Sequence, residues 1–248
     1  MKLACSSTVF GQLLSSGELT QIEWLDVCAR ELAGDGVVLD VRHFPRTDSD
    51  YLAQVKKMAA DLGLTVAAVR DDELFTRAEP AMRANFELAG AVGAPLMASQ
   101  LPSVLRMSWS ELLTRAGEAT SLAKHHNTTL AIRNVPDTLA ATSQELKRLS
   151  KEADSAWLRF APELRAFDAG SEPSALLSKT VLAWHVHAVP EVESDEDAQM
   201  DRVFSLLKDF RGFFALDDPQ GAGKVDSVVA ALVKLRTMVA TDQIGAAL

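Results

Sequence analysis

Three arginines are the residues of this chain whose chemistry is easiest to interpret. Arg42, Arg70 and Arg133 each stand at the end of a short apolar run. A guanidinium group binds a carboxylate or a phosphate through two parallel, charge-assisted hydrogen bonds. If the three side chains converge on one pocket, they predict a binding site for a small anion.

An alternative for these arginines is internal neutralisation. Acidic residues that could pair with them occur close in sequence or at other run ends, namely Asp71, Asp72 and Glu163, and for Arg133 also Asp217. A guanidinium that is already paired with a carboxylate offers little charge to a ligand. The sequence leaves both interpretations open for each arginine.

A glycine-rich loop, residues 221–224 (Gly-Ala-Gly-Lys), is a second candidate for anion binding. The backbone N–H groups of Gly221 and Gly223 could hold a phosphate at the start of the following helix. The loop is not a P-loop, because Asp218 stands where the first glycine would be required and Val225 replaces the Ser or Thr. A plain loop that caps the helix is the alternative.

The elements that must position these residues form eight units of strand followed by helix. Short, almost uncharged apolar runs predict strands that are buried on both faces, and apolar residues at spacings of three and four predict the helices between them. The predicted strands are Leu3–Ser6, Val37–Arg42, Leu64–Arg70, Pro95–Ser99, Thr129–Arg133, Trp157–Phe160, Val181–His187 and Phe213–Asp217. The predicted helices are Thr20–Ala33, Tyr51–Leu62, Glu79–Ala91, Trp109–Lys124, Leu139–Lys151, Pro173–Ser178, Asp195–Lys208 and Asp226–Val239.

Eight such units predict an α/β fold of the (β/α)8 TIM barrel type. No linker rich in Pro, Gly or Ser interrupts the pattern, so residues 1–248 are expected to form a single domain. Barrels of this type place their chemistry at the C-terminal ends of the strands. Polar and small residues at the predicted strand ends are Ser6, Arg42, His43, Arg70, Asp71, Ser99, Gln100, Arg133, Asn134, Ala161, Glu163, His185, His187, Asp217 and Asp218.

Composition limits the classes of partner. The formal net charge of −9 disfavours binding to nucleic acid or to an anionic membrane surface. Cys5 and Cys28 have no metal-binding or redox spacing, which favours reduced, buried thiols. The first residues are too polar for a secretory segment, and prolines and glycines interrupt the uncharged stretch Leu88–Leu105. We therefore expect a cytoplasmic protein without nucleic acid or membrane partners; the oligomeric state stays open.

Several segments together resemble the xylose isomerase-like TIM barrel superfamily, and the resemblance covers nearly the whole chain. This superfamily includes sugar phosphate isomerases and epimerases, inosose dehydratases, and metal-dependent AP endonucleases of the family 2 type. The segments that carry the resemblance are residues 1–4 (MKLA), 36–40 (GVVLD), 59–66 (AADLGLTV), 130–134 (LAIRN) and 184–187 (WHVH).

The resemblance implies a divalent metal with four ligands: Glu on the fifth strand, Asp on the sixth, His on the seventh and Glu on the eighth. In this chain those positions carry Arg133, Ala161, His187 and Asp217, or Asp218 if the register shifts by one. A guanidinium stays charged in proteins and repels a nearby cation. We therefore expect a degenerate metal site and no metal or other cofactor.

The resemblance then implies a sugar phosphate isomerase-like or epimerase-like barrel that binds a small, anionic sugar, sugar acid or polyol. His187 and Glu163 are the candidate acid/base groups, Asp217 is a third carboxylate, and Arg133 would hold a substrate oxygen in place of the metal. The expected ligand-binding residues are Arg42, Arg70, Arg133, Asn134, Gly221 and Gly223. The alternative is a non-catalytic, ligand-binding barrel that has lost the reaction, whereas the endonuclease reading lacks most of the metal ligands it would need.

Overall fold

Eight parallel strands form a nearly closed barrel in this computed structural model, which describes residues 1–166, 174–186, 203 and 205–245. The strands are β1 (Lys2–Ser6), β2 (Gly36–Asp40), β3 (Thr65–Arg70), β4 (Leu96–Gln100), β5 (Thr129–Arg133), β6 (Leu158–Phe160), β7 (Leu182–Val186) and β8 (Phe213–Asp217). Their order is β6-β5-β4-β3-β2-β1-β8-β7, and isolated parallel bridges, Phe160–Thr180 and Glu163–Trp184, join the segments at β6 and β7. The predicted TIM barrel is confirmed.

Helices alternate with the strands along the chain. They are α1 (Gly11–Ser16), α2 (Gln21–Arg30), α3 (Ser49–Asp61), α4 (Glu79–Val92), α5 (Trp109–His125), α6 (Ser143–Ala153), α7 (Ser174–Leu177) and α8 (Val225–Gly245). The sequence did not predict α1, and the predicted helix Asp195–Lys208 lies mostly outside the described residues. Among the described residues, no helix has both the length and the apolar character needed to cross a membrane.

Capping boxes fix the starts of three helices. At α6 the Thr142 hydroxyl accepts the amide of Glu145, and the Glu145 carboxylate accepts the amide of Thr142. Such reciprocal bonds satisfy two amides that a helix start would otherwise leave unpaired. The helix therefore begins after Thr142 and not at the predicted Leu139. Boxes of the same kind begin α2 and α5.

The second strand is shorter than the sequence predicts, which changes the position of Arg42. The strand ends at Asp40, whose carboxylate accepts the amide of Arg42 at 2.9 Å and begins a 3-10 turn over Val41–His43. The side chain of Arg42 is 62% exposed. The prediction that Arg42 belongs to the strand is wrong, and the residue lies on the rim of the barrel instead.

The barrel interior contains one large side chain among small ones. Because side chains alternate between the two faces of a strand, every second residue of each strand faces the centre. The buried cluster there comprises Ala4, Val38, Ala67, Ala68, Ala98, Ala131, Ala161, Leu182, Trp184 and Ala215. Trp184 is 1% exposed, and its indole fills space that the alanines leave. The larger apolar cluster lies outside the barrel, between strands and helices.

Replacing Trp184 with alanine should therefore leave a cavity at the centre of the barrel. We expect Trp184→Ala to lower the free energy of unfolding by about 3–5 kcal/mol, since neighbouring alanines cannot fill the space. Urea unfolding measures this loss. Trp109→Ala, which truncates a partly buried tryptophan on α5, should cost clearly less, and equal losses for the two variants would contradict the central role of Trp184.

Candidate functional site

An irregularity between β2 and β3 sets the direction of Arg70. The pairs along these strands are Val37–Val66 and then Val38–Ala68, so β3 has one extra residue at this point. Such a bulge changes the facing of every residue that follows it. Asp40 consequently pairs with Arg70, and the Arg70 side chain enters the barrel mouth.

The carboxylate of Asp217, at the end of β8, is the centre of the mouth. It is fully buried and bonds two arginines from other strands, with 2.7 Å between Oδ1 and Arg70 Nη1 and 2.6 Å between Oδ2 and Arg133 Nη1. The hydroxyl of Thr8, in the turn after β1, also donates to Oδ1. One side chain therefore joins β3, β5, β8 and the segment after β1.

Two more aspartates complete the neutralisation of the arginines. Asp72 accepts from Arg70 Nε at 3.0 Å and from Nη2 at 2.5 Å. Asp40 accepts from Arg42 Nε at 2.9 Å and from Nη2 at 2.7 Å. Each of the three arginines is thus paired with an aspartate. Asp72 at Arg70 and Asp217 at Arg133 were predicted partners, whereas Asp40 at Arg42 was not, and Asp71 is paired with Arg77 instead.

Electrostatics at the mouth favour the charged forms of these groups. Burial alone would raise the pKa of Asp217, but the charges of Arg70 and Arg133 and the Thr8 hydroxyl lower it to about 2. Burial likewise opposes the charge of Arg70, yet the carboxylates of Asp217 and Asp72 raise the pKa of its guanidinium. Asp217 therefore stays ionised near neutral pH and is a poor proton acceptor.

Trp184 supports the two arginines from the strand layer below. The guanidinium carbons of Arg70 and Arg133 lie 5.4 and 5.0 Å from its ring centroid, which is a cation–π distance. Two buried donors next to each other, Arg133 Nε and Trp184 Nε1, have no hydrogen-bond partner among the described residues. Both donors could bind water at the barrel axis.

Asn134 and Glu163 join the ends of β5, β6 and β7. The Asn134 amide donates to the carbonyl of Glu163 at 3.1 Å, and its oxygen accepts the Glu163 amide at 2.8 Å. The Glu163 carboxylate accepts the amide of Val186 at 2.8 Å. Both predicted site residues are buried at the mouth, where these contacts tie the last strands together.

The amides of the glycine-rich loop are used within the protein. The N–H of Gly221 donates to the carbonyl of Asp218 at 3.1 Å, and that of Gly223 donates to the carbonyl of Val9 at 2.9 Å. A Cβ on Gly223 would lie 2.5 Å from the same carbonyl oxygen. Close approach to the segment after β1 therefore accounts for the glycine, and any bond from this loop to a ligand has to come from other atoms.

A polar pocket of about 350 Å³ opens beside the barrel axis, between the segments that follow β1, β2, β3 and β8. His43 lies on its wall, and a Cβ on Gly11 would come 3.4 Å from His43 Nε2. The other ring nitrogen, Nδ1, is 2.8 Å from Ser7 Oγ. Burial lowers the pKa of His43, with Asp40 raising it and Arg42 and Arg70 lowering it further, so the ring is neutral near pH 7. The residues that line the pocket are Thr8, Gly11, Gln12, Ser15, Arg42, His43, Arg70, Asp72, Pro219, Gln220 and Gly221.

The mouth brings Arg70, Arg133 and Asp217 into contact as one cluster. Arg42 and Gly221 line the neighbouring pocket. Asn134 and Glu163 lie where the ends of β5, β6 and β7 meet. His187 lies outside the described residues. Sequence reasoning missed Thr8, because a hydroxyl two residues beyond a strand end carries no distinctive signal. It also missed Trp184, because the predicted strands contain two tryptophans, Trp157 and Trp184, and the sequence does not show which of them faces the barrel centre.

Comparisons with known proteins establish the fold. The sequence matches no family model and no curated protein. Among solved structures, it is similar to the D-psicose 3-epimerase of Clostridium cellulolyticum (TM-score 0.75, 11% identity, 96% of this chain and 99% of that one). It is also similar to the probable 3-DHS dehydratase AsbF of Bacillus anthracis (0.74, 14%, 95% and 99%) and to an L-ribulose 3-epimerase (0.74, 14%, 99% and 96%). The chain thus has the fold of the xylose isomerase-like TIM barrels.

Removal of the central charge should destabilise the barrel strongly. We expect Asp217→Asn to lower the free energy of unfolding by about 3–5 kcal/mol, because it removes the counter-charge that Arg133 has at this carboxylate and leaves Arg70 paired with Asp72 but not with Asp217. Asp61→Asn makes the same chemical change in an exposed pair with Lys57 and should cost about 0.5 kcal/mol or less. Denaturant unfolding of both variants decides the matter, and a loss below about 1 kcal/mol for Asp217→Asn would be contrary to this account.

Acid should weaken the same cluster at low pH. Because the folded-state pKa of Asp217 is depressed from 3.8 to about 2, its stabilisation is complete above about pH 4 and is lost as the pH falls towards 2. The shift corresponds to roughly 2 kcal/mol. A carbon-13 titration of the Asp217 carboxyl should give a midpoint below pH 3, whereas a midpoint near 4 would remove the basis for this coupling.

Proposed function

We propose that this barrel binds a small, polyhydroxylated sugar derivative at the C-terminal ends of its strands, without a divalent metal and without isomerase chemistry. The observation that carries the proposal is the state of Asp217. Both of its carboxylate oxygens already bond arginines from other strands. The family's eighth-strand ligand position is therefore used for an internal ion pair.

The residues at two other metal-ligand positions of the family support the same proposal. The positions that the family resemblance assigns to metal ligands on the fifth and sixth strands carry the guanidinium of Arg133 and the methyl group of Ala161. Manganese, magnesium and zinc require oxygen or nitrogen lone pairs, which neither group supplies. Two buried positive charges beside Asp217 further oppose a divalent cation. These residues do not fit the family's metal.

The use of two predicted acid/base groups within the protein supports the non-catalytic part of the proposal. Asp217, with a pKa of about 2, is too weak a base for proton abstraction near neutral pH. The carboxylate of Glu163 accepts the Val186 amide, and the side chain of Asn134 bonds the backbone amide and carbonyl of Glu163. Two of the three predicted catalytic side chains thus contribute to the architecture of the mouth, which favours the non-catalytic alternative.

The ligand class rests on the fold and on the polar pocket. The similar structures named above include a D-psicose 3-epimerase and an L-ribulose 3-epimerase. A pocket of about 350 Å³ with hydroxyl, amide, imidazole and charged groups suits a molecule of monosaccharide size. A metal-independent isomerase is the second candidate, since the neutral imidazole of His43 on the pocket wall is placed for proton transfer.

The proposal is tested by binding and turnover measured together. Saturation-transfer NMR with a panel of ketoses, aldoses and sugar acids should detect bound ligands, and product analysis of the same samples should find no epimer or isomer. Addition of Mn²⁺ should change neither result. Product that forms without metal would favour the second candidate, and product that forms only with Mn²⁺ would overturn the proposal.

A gain-of-function variant tests the metal argument directly. Arg133→Glu combined with Ala161→Asp adds two carboxylates and removes a positive charge, so it should bind Mn²⁺ more tightly than the parent protein. Electron paramagnetic resonance of bound Mn²⁺ measures the difference. Arg46→Glu at an exposed position makes the same Arg-to-Glu change away from the strand ends and is the control for added negative charge there, and an equal gain in that variant would rule out the strand-end explanation.

A further inference from the structure

We propose that the ligand is a polyhydroxylated carboxylic acid, seated in the pocket beside the axis, with His43 and Arg42 binding its carboxylate. This inference rests on the proposed function, since it identifies the ligand class and the residues that recognise it. It differs from the sequence-based expectation, which centred the ligand on Arg133. The reason is that the pocket and the barrel axis differ in the donors and acceptors that the protein's own hydrogen bonds leave unused.

The first step concerns the tautomer of His43. Ser7 Oγ accepts the amide of Asp40 at 2.9 Å and lies 2.8 Å from His43 Nδ1. The amide uses one lone pair of Ser7 Oγ, and among the described residues Nδ1 is the acceptor that the hydroxyl proton of Ser7 can reach, so we assign the donor role to Ser7 and the acceptor role to Nδ1. A neutral ring in this state carries its proton on Nε2. His43 consequently presents an N–H donor on the pocket side.

The second donor comes from the neighbouring residue. Arg42 uses Nε and Nη2 for Asp40. Its Nη1 has no hydrogen-bond partner in the part of the chain that the structure describes, and its side chain is 62% exposed on the pocket rim. Arg42 and His43 are consecutive residues of the 3-10 turn Val41–His43, which the carboxylate of Asp40 caps. The two donors therefore belong to one short, ordered segment. Two such donors suit the two oxygens of a carboxylate.

Other residues that line the pocket carry acceptors that suit hydroxyl groups. Gln12 donates from Nε2 to the carbonyl of Gln220 at 3.0 Å, which leaves Oε1 of the same amide as an acceptor. The carboxylate of Asp72 accepts from Arg70 and is partly exposed to the pocket. A ligand with hydroxyls next to its carboxylate could satisfy donors and acceptors together, whereas a plain carboxylic acid would leave the acceptors unpaired.

At the barrel axis, Arg133 Nε has no partner among the described residues, but an anion bound there would lie close to the fully buried carboxylate of Asp217. Arg70 and Arg133 are bonded to Asp217, and Arg70 also to Asp72. At the pocket, Gly11 keeps the approach to His43 open, since it has no side chain beside Nε2. Gly221 also lines this pocket, and its carbonyl accepts the amide of Gln12 at 3.0 Å.

The test uses calorimetric titration with D-gluconate and with its neutral counterpart, D-glucitol. We expect gluconate to bind at least about tenfold more tightly than glucitol, and His43→Leu to weaken gluconate binding by about tenfold or more, a factor that corresponds to about 1.4 kcal/mol. His43→Gln retains an N–H donor near the Nε2 position and should stay within about threefold of the parent under the same conversion. His125→Leu, on the last turn of α5, is the control for loss of an unrelated histidine and should change nothing.

A spectroscopic readout separates recognition from a merely structural role. Nitrogen-15 imidazole spectra of the ligand-free protein should report the Nε2–H tautomer at His43, and Ser7→Ala should shift the population towards Nδ1–H. Equal affinity for gluconate and glucitol, an Nδ1–H tautomer in the parent protein, or unchanged binding in His43→Leu would overturn the inference. Gluconate binding that survives in His43→Leu and is lost in Arg133→Met would move the ligand to the axis and leave the proposed function intact.

Absence of binding by both compounds would also overturn the assignment of a sugar acid. The proposed function would then stand or fall on the ketose and aldose panel described above. Thermal unfolding of each variant identifies any loss of binding that comes from loss of folding.

Discussion

The mouth of this barrel depends on one buried carboxylate. Asp217 accepts bonds from Arg70 and Arg133, which come from strands that are not its neighbours in the sheet. Ordinary strand pairing cannot make such a connection across the barrel. Since an unpaired charge at this depth would cost several kcal/mol, the three residues are mutually required, and the packing of Trp184 beneath them belongs to the same arrangement.

This arrangement decides what the arginines can do. Three guanidiniums at one end of a barrel suggest a strongly positive pocket, but Asp40, Asp72 and Asp217 neutralise them pairwise. Hydrogen-bonding capacity for a ligand therefore lies with polar groups that form no ion pair and with single arginine nitrogens that the ion pairs do not use. Arg133 Nε is one such nitrogen, but its guanidinium is bonded to the buried carboxylate of Asp217. His43, Gln12 and the outer nitrogen of Arg42 are such groups, which is why recognition beside the axis fits the chemistry of this mouth better than recognition at its centre.

The sequence was sufficient to predict the architecture. Alternating runs such as residues 64–70 and 129–133, each followed by a helical pattern, led to eight parallel strands and the TIM barrel because buried parallel strands require continuous apolar residues. The strand-end rule also located Arg70, Arg133 and Asp217 at the same mouth. Helix ends were less accurate, as at Leu139, because a capping box decides the start through two local hydrogen bonds that periodicity does not register.

The sequence offered candidate partners for the arginines, and the tertiary structure decided which of them pair. Asp217 and Arg70 are 147 residues apart, and no local pattern indicates that they meet. The inward direction of Arg70 depends on the bulge in β3, a single extra residue whose effect appears only when β3 is paired with β2. The strand-end rule predicted which residues reach the mouth, because burial and side-chain alternation are properties of each segment. Which arginines and aspartates pair at the mouth depends on the distances between side chains across the barrel. These distances are set only when the chain folds.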